Sequence, residues 1–169
     1  MSGRPIREPD IPRRRGKPEI SWPAAKKPAP DRSAIRSLQE RAKELDCLYR
    51  VDEALSQKEA PLKDVFAAVL AAIPPGWQYP AACQARITWE DKTFATPGYA
   101  ETVWRQTAPL KRDGVPVGQI EVSYTAEMAE ADIGPFLKEE ARLINAIAER
   151  ITSFLREKDI ADGPDSDRG

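Results

Sequence analysis

"IPPGWQYPAACQARITWED", residues 73–91, is where the chain changes from one kind of structure to another. Pro74, Pro75 and Gly76 stop the helix before them, because proline has no N–H to donate and glycine loses too much freedom in a helix. Cys83, Ala85, Ile87 and Trp89 then alternate with Gln84, Arg86 and Thr88. That period of two marks a strand with one apolar and one polar face. The stretch therefore joins a helix to a sheet, with Trp77 and Tyr79 at the joint and Pro80 stiffening it.

Upstream, "PLKDVFAAVLAAI" (61–73) opens on Pro61 and presents Leu62, Val65, Phe66, Val69, Leu70 and Ile73 on one helical face. Before it, "DRSAIRSLQERAKELDCLYRVDEALSQ" (31–57) places Ile35, Leu38, Ala42, Leu45 and Tyr49 at alternating steps of three and four. Leu48, Val51 and Leu55 widen that stripe. The pattern predicts an amphipathic helix with Asp31 or Ser33 as N-cap, and it also suits a short two-stranded coiled coil. Downstream, a turn at Asp91-Lys92 leads into "TFATP" (93–97), a hairpin partner that Pro97 ends. Val103–Leu110 and Val117–Thr125 read as two further strands around Asp113-Gly114, a strong hairpin signal. "GPFLKEEARLINAIAERITSFLREKD" (134–159) predicts a last helix with Pro135 at its first position. Its apolar stripe is wide enough to cover a sheet and still reach a partner.

Helix, helix, four strands and helix, joined by short turns, define an α+β fold. The expected architecture is a GAF/PAS-like antiparallel sheet with helices on one face and long N- and C-terminal helices. Residues 31–158 form the domain. Residues 1–30 hold seven prolines and eight Lys/Arg against three Asp/Glu, which predicts a disordered Pro/Arg-rich arm. Residues 159–169 read as a disordered acidic tail.

Composition narrows the function. The chain of 169 residues has a net charge of -1, which argues against nucleic acid as a partner, although "RRRGKP" (13–18) in the arm offers a local electrostatic contact. It contains no histidine, which removes Ser-His and Cys-His catalysis, most zinc chemistry and phosphohistidine relay. The expectation is a non-enzyme with no metal site. Cys47 and Cys83 lack metal spacing and sit in apolar surroundings, as structural thiols do. With no long apolar run, a cytoplasmic protein without membrane insertion is expected.

Two residue sets remain as sites. Trp77 and Tyr79 either wall a ligand pocket or plug the end of the core. Arg86, Thr88, Arg105, Gln119, Glu121 and Ser123 share the polar side of the sheet, where Arg86 and Glu121 either pair with each other or hold a small polar ligand. The candidate ligand residues are thus Trp77, Tyr79, Arg86, Thr88 and Glu121. "RDGVPVG" (112–118) is a hairpin turn and not a phosphate loop, so no cofactor is named.

Four blocks in one order, "ELDCLYRVDEAL", "IPPGWQYPAACQARITWEDKTF", "VWRQTAPLKRDGVPVGQIEVSY" and "GPFLKEEARLINAIAERI", resemble a GAF-like sensory domain of bacterial and archaeal multidomain PAS-type sensor histidine kinases. They are also similar to an accessory region of some proteins related to phosphoenolpyruvate synthase. The resemblance runs from about Glu44 to Lys158 and includes no catalytic motif. It implies a cytoplasmic regulatory module of signal transduction, usually a homodimer through its flanking helices. Leu38, Leu45, Ile144, Ile147, Ile151 and Phe154 are the candidate dimer interface. Without histidine the chain is no phospho-acceptor of that kind, so the expected output passes through a signalling or metabolic partner protein. The rival readings are a ligand-free dimerisation scaffold and a nucleic-acid-binding accessory protein that uses the basic arm.

Overall fold

A computed structural model describes residues 32–162. The Pro/Arg-rich arm, Asp31 and the tail from residue 163 lie outside the described residues, and with them the expectations of disorder and of an RNA or DNA contact. The described residues from Ser37 onward belong to one compact unit, and Arg32–Arg36, the first turn of a helix, fall in a separate one.

The elements are α1 (Arg32–Leu55), α2 (Leu62–Ala72), β1 (Cys83–Trp89), β2 (Lys92–Ala95), β3 (Arg105–Arg112), β4 (Val115–Tyr124) and α3 (Lys138–Asp162). The strands form one antiparallel sheet in the order β2-β1-β4-β3. The α+β class and the antiparallel sheet agree with the sequence.

The hairpin turns explain the register. Asp113 and Gly114 both have positive φ, +53° and +81°, which matches the right-handed twist of the strands they join. The first turn falls on Glu90-Asp91 and not on Asp91-Lys92: Glu90 takes φ +57°, and Lys92 already pairs with Trp89. The two central strands lie unusually close at Gly118. A Cβ there would stand 2.2 Å from the Thr88 carbonyl oxygen, so only glycine fits.

One face of the sheet is apolar. Ala85, Ile87, Ala108, Leu110, Ile120, Val122 and Tyr124 are buried there. α2 covers it over β1 and β2, and α3 covers it over β3 and β4. Phe66 of α2 meets Phe94 of β2 edge to face at 5.1 Å. Helix α1 adds Cys47, Val51, Ala54 and Leu55 to the same core. At its C-terminal half α1 is tied to α3 by Asp52 and Arg150 at 2.9 Å, and the turn after it by Lys58 and Glu157 at 2.7 Å.

The last helix departs from expectation at both ends. Pro135 does not open it, because Gly134 takes a left-handed turn and Ile133 and Phe136 form an isolated bridge. The helix starts at Lys138, where Glu140 reaches back to accept from the backbone N–H of Leu137 at 2.8 Å, half of a capping box. It continues to Asp162, into the segment read as tail. Its stripe serves the protomer alone: Ile144, Ile147, Ile151 and Phe154, expected at a dimer interface, are all at most 4% exposed inside the protein's own core. The sheet is broad enough to consume the whole apolar width of the helix.

Candidate functional site

The candidate ligand residues do not form one pocket, because the sheet separates them. Trp77 and Tyr79 lie on the helix-covered side. The Trp77 side chain is fully buried, and its indole N–H donates to Oε1 of Gln106 at 2.8 Å. Gln106 pairs with Val122 and so faces the apolar side, where it accepts a donor that would otherwise be buried without a partner. Tyr79 packs edge to face on Tyr124 at 5.5 Å, and Tyr124 stacks on Phe136 at 5.0 Å. These rings close the end of the core, so of the two readings for Trp77 and Tyr79, pocket wall or plug, the geometry fits the plug.

Arg86, Thr88 and Glu121 occupy the opposite face. β1 and β4 set Arg86 directly against Glu121, Thr88 against Gln119 and Gln84 against Ser123. Arg86 Nη2 donates to Glu121 Oε1 at 2.7 Å, and Arg105 Nη1 stands 3.5 Å from Glu121 Oε2. The Glu121 side chain is only 1% exposed, so this is not the solvated surface pair that alternation alone would produce.

Cover comes from Thr96–Trp104, the segment between β2 and β3. Gln84 fastens it by donating to the Ala100 carbonyl and accepting from the Ala100 N–H at 3.2 Å, while its Nε2 also reaches Ser123 Oγ at 3.0 Å. The Tyr99 ring lies against the Arg86 guanidinium, 4.8 Å from its centroid, and Glu101 binds Arg86 Nη1 at 3.1 Å. Burial raises the Tyr99 hydroxyl pKa, partly opposed by Ser123. Three buried atoms in this cluster have no hydrogen-bond partner among the described residues: Arg86 Nε, Tyr99 Oη and Glu121 Oε2. They comprise one donor, one acceptor and one group that does both. Gln84, Tyr99 and the segment carrying Tyr99 and Glu101 were not among the candidates. Gln84 shares the parity of Arg86, a usable signal, whereas no periodicity points to Tyr99.

A second buried carboxyl lies on the apolar side. Glu140 is 1% exposed and accepts from the N–H of Gln78 at 2.7 Å as well as from Leu137, so it joins the Trp77 stretch to the start of α3. Burial pushes its pKa up to about 7, against the lowering effect of the two backbone N–H groups. The folded protein therefore holds a proton between about pH 4.5 and pH 7 that the unfolded chain has released. Stability falls as pH rises through that window, by about 3 kcal/mol, and is flat above it. Denaturant unfolding across the window should show this slope, and Glu140→Gln should flatten it; a variant that retains the full slope would assign it elsewhere.

Burial also pushes the Cys47 thiol up to about 12 and raises that of Cys83. Both are thereby held as thiols, far from the thiolate that redox or covalent chemistry needs. Among the described residues there is no cluster of three or more metal-ligating side chains and no helix long and apolar enough to cross a membrane. A groove of about 520 Å³ between the β3–β4 hairpin and the end of α3 is lined by Trp89, Lys111, Arg112, Thr152 and Arg156, among others, and by none of the five candidate ligand residues.

No protein-family model matches this chain, and no curated protein matches it.

Proposed function

We propose that the chain is a non-catalytic, GAF-like regulatory module that holds a small polar ligand on the polar face of its sheet and passes the change through a helical dimer to a partner protein. The observation that carries this reading is the buried Arg86–Tyr99–Glu121 cluster, in which Arg86 Nε, Tyr99 Oη and Glu121 Oε2 make no hydrogen bond among the described residues, although Glu121 Oε2 has Arg105 at 3.5 Å. Buried polar atoms in folded proteins are nearly all bonded, so such a cluster fits a bound molecule better than a finished ion pair. A matching ligand offers an acceptor to Arg86 Nε–H and a donor to Glu121 Oε2, as carboxamides, ureides and amino acids do.

The test is a thermal-shift panel of such compounds, followed by calorimetric titration. One member should raise the melting temperature progressively with its concentration, and Tyr99→Phe should weaken its binding without unfolding the protein. A protein that no member stabilises would instead be a ligand-free scaffold, the reading favoured by the bond already formed between Arg86 and Glu121. Nucleic-acid binding through the arm is separable, since it would be steeply salt-dependent and lost on deleting residues 1–30.

A further inference from the structure

Two carboxylates hold Arg86, and they differ in everything but charge. Glu121, on β4, is buried with a side chain only 1% exposed. Glu101, in the covering segment, has a side chain 64% exposed and meets Arg86 only at Nη1, 3.1 Å away. The covering segment does not depend on that contact. Thr96 Oγ1 accepts from the Ala85 N–H at 3.2 Å, and Thr102 Oγ1 donates to the Tyr124 carbonyl at 2.8 Å. Gln84 fastens both the N–H and the carbonyl of Ala100. The Glu101 side chain is therefore free to swing into water while the backbone around it stays in place. An ion pair this exposed holds it only weakly.

The charges of the cluster do not balance without Glu101. Arg86 and Arg105 share the single buried carboxylate of Glu121, with Arg105 at 3.5 Å. Two guanidinium groups on one carboxylate leave one positive charge over, partly screened from water by the covering segment. Such a site takes up one anion, and the planar guanidinium fork matches a carboxylate.

We infer that Glu101 is an internal stand-in for the carboxylate of the ligand, which replaces it on Arg86. The inference rests on the reading of this face as a ligand site, and it narrows the ligand to a carboxylate with a single negative charge. Exchange of one carboxylate for another leaves the cluster neutral. A neutral carboxamide that displaced Glu101 would strand the surplus positive charge, and a dicarboxylate would bring one negative charge too many. Glu101 thus sets both the specificity of the site and the concentration needed to fill it, because every ligand competes with a side chain already tethered beside Arg86.

Titration of the isotope-labelled full chain with lactate and with lactamide, read by NMR at the Arg86 Nε–H and the Ala100 N–H, tests it. Wild type should bind lactate more tightly than lactamide. Glu101→Gln keeps the shape of the side chain and removes its charge, so it should tighten lactate by about fivefold and leave lactamide unchanged. Arg105→Gln removes the surplus positive charge and should erase the preference for lactate. Both substitutions fall on side chains that reach solvent, so the rest of the spectrum should stay as in wild type. The inference is overturned if Glu101→Gln binds lactate no better, if it tightens both probes alike, or if the preference survives Arg105→Gln. Should neutral members of the thermal-shift panel bind while lactate ignores Glu101→Gln, the ligand site stands and the stand-in falls. Should no probe or panel member bind either protein, both fall.

Discussion

Replacing Trp77 with alanine should lower the unfolding free energy by about 4 kcal/mol, the cost of emptying a large, fully enclosed aromatic site. The indole fills the junction between the Pro74–Gly76 turn and the sheet, and its neighbour Gly76 is already pressed on Cys47, where an added Cβ would come within 2.8 Å of the Cys47 Cβ. Such close surroundings cannot collapse far into the space left behind. Alanine would also strip Gln106 of its partner at a half-buried site. Trp77→Phe keeps a six-membered ring in the site while removing the N–H donor and the five-membered half of the indole, and it should cost less. Denaturant unfolding measures both. If Trp77→Ala cost less than about 1 kcal/mol, the ring would be a surface wall after all.

That expectation inverts one reading of the sequence, and the reason is geometric. In β1 the period of two decides which side chains share a face, so Cys83–Trp89 was legible residue by residue, as was the pairing of Asp113-Gly114 with its strands. Trp77 and Tyr79 sit in irregular backbone, where no period says which side of the sheet a ring will reach. The start of α3 was misplaced for a related cause. Pro135 is a good first helical residue, but here it sits with Gly134 in the turn between the bridged Ile133 and Phe136, and the helix begins only where Glu140 caps Leu137. The stripe on α3 was visible while its destination was not, because the sequence shows how wide an apolar face is and not how much of it the sheet will cover. On the polar side, alternation placed Arg86 and Glu121 on one face, but their burial depends on a segment that comes back over the sheet through Gln84 and Ala100. Nothing local in Thr96–Trp104 announces that contact.

The same burial makes Arg86 the more consequential half of its pair. Arg86→Met should cost about 4 kcal/mol, most of it from leaving the nearly inaccessible Glu121 carboxylate with only Arg105, 3.5 Å away. Two charges brought together out of water offset each other's desolvation, whereas one left behind keeps the full penalty. Glu121→Leu alone should cost less, because the 21% exposed Arg86 keeps both solvent and Glu101. The double variant Arg86→Met with Glu121→Leu should recover much of the loss, since an apolar pair of similar volume replaces the ions without a stranded charge. A double-mutant cycle by denaturant unfolding gives the coupling directly. Additive losses would mean that the two side chains act independently and that the cluster is surface decoration. A large coupling would mean that the protein maintains a buried charge pair which a hydrophobic pair can replace at little cost in stability. Arg86 Nε and Tyr99 Oη, buried without a hydrogen bond among the described residues, would then have to be accounted for by what they bind.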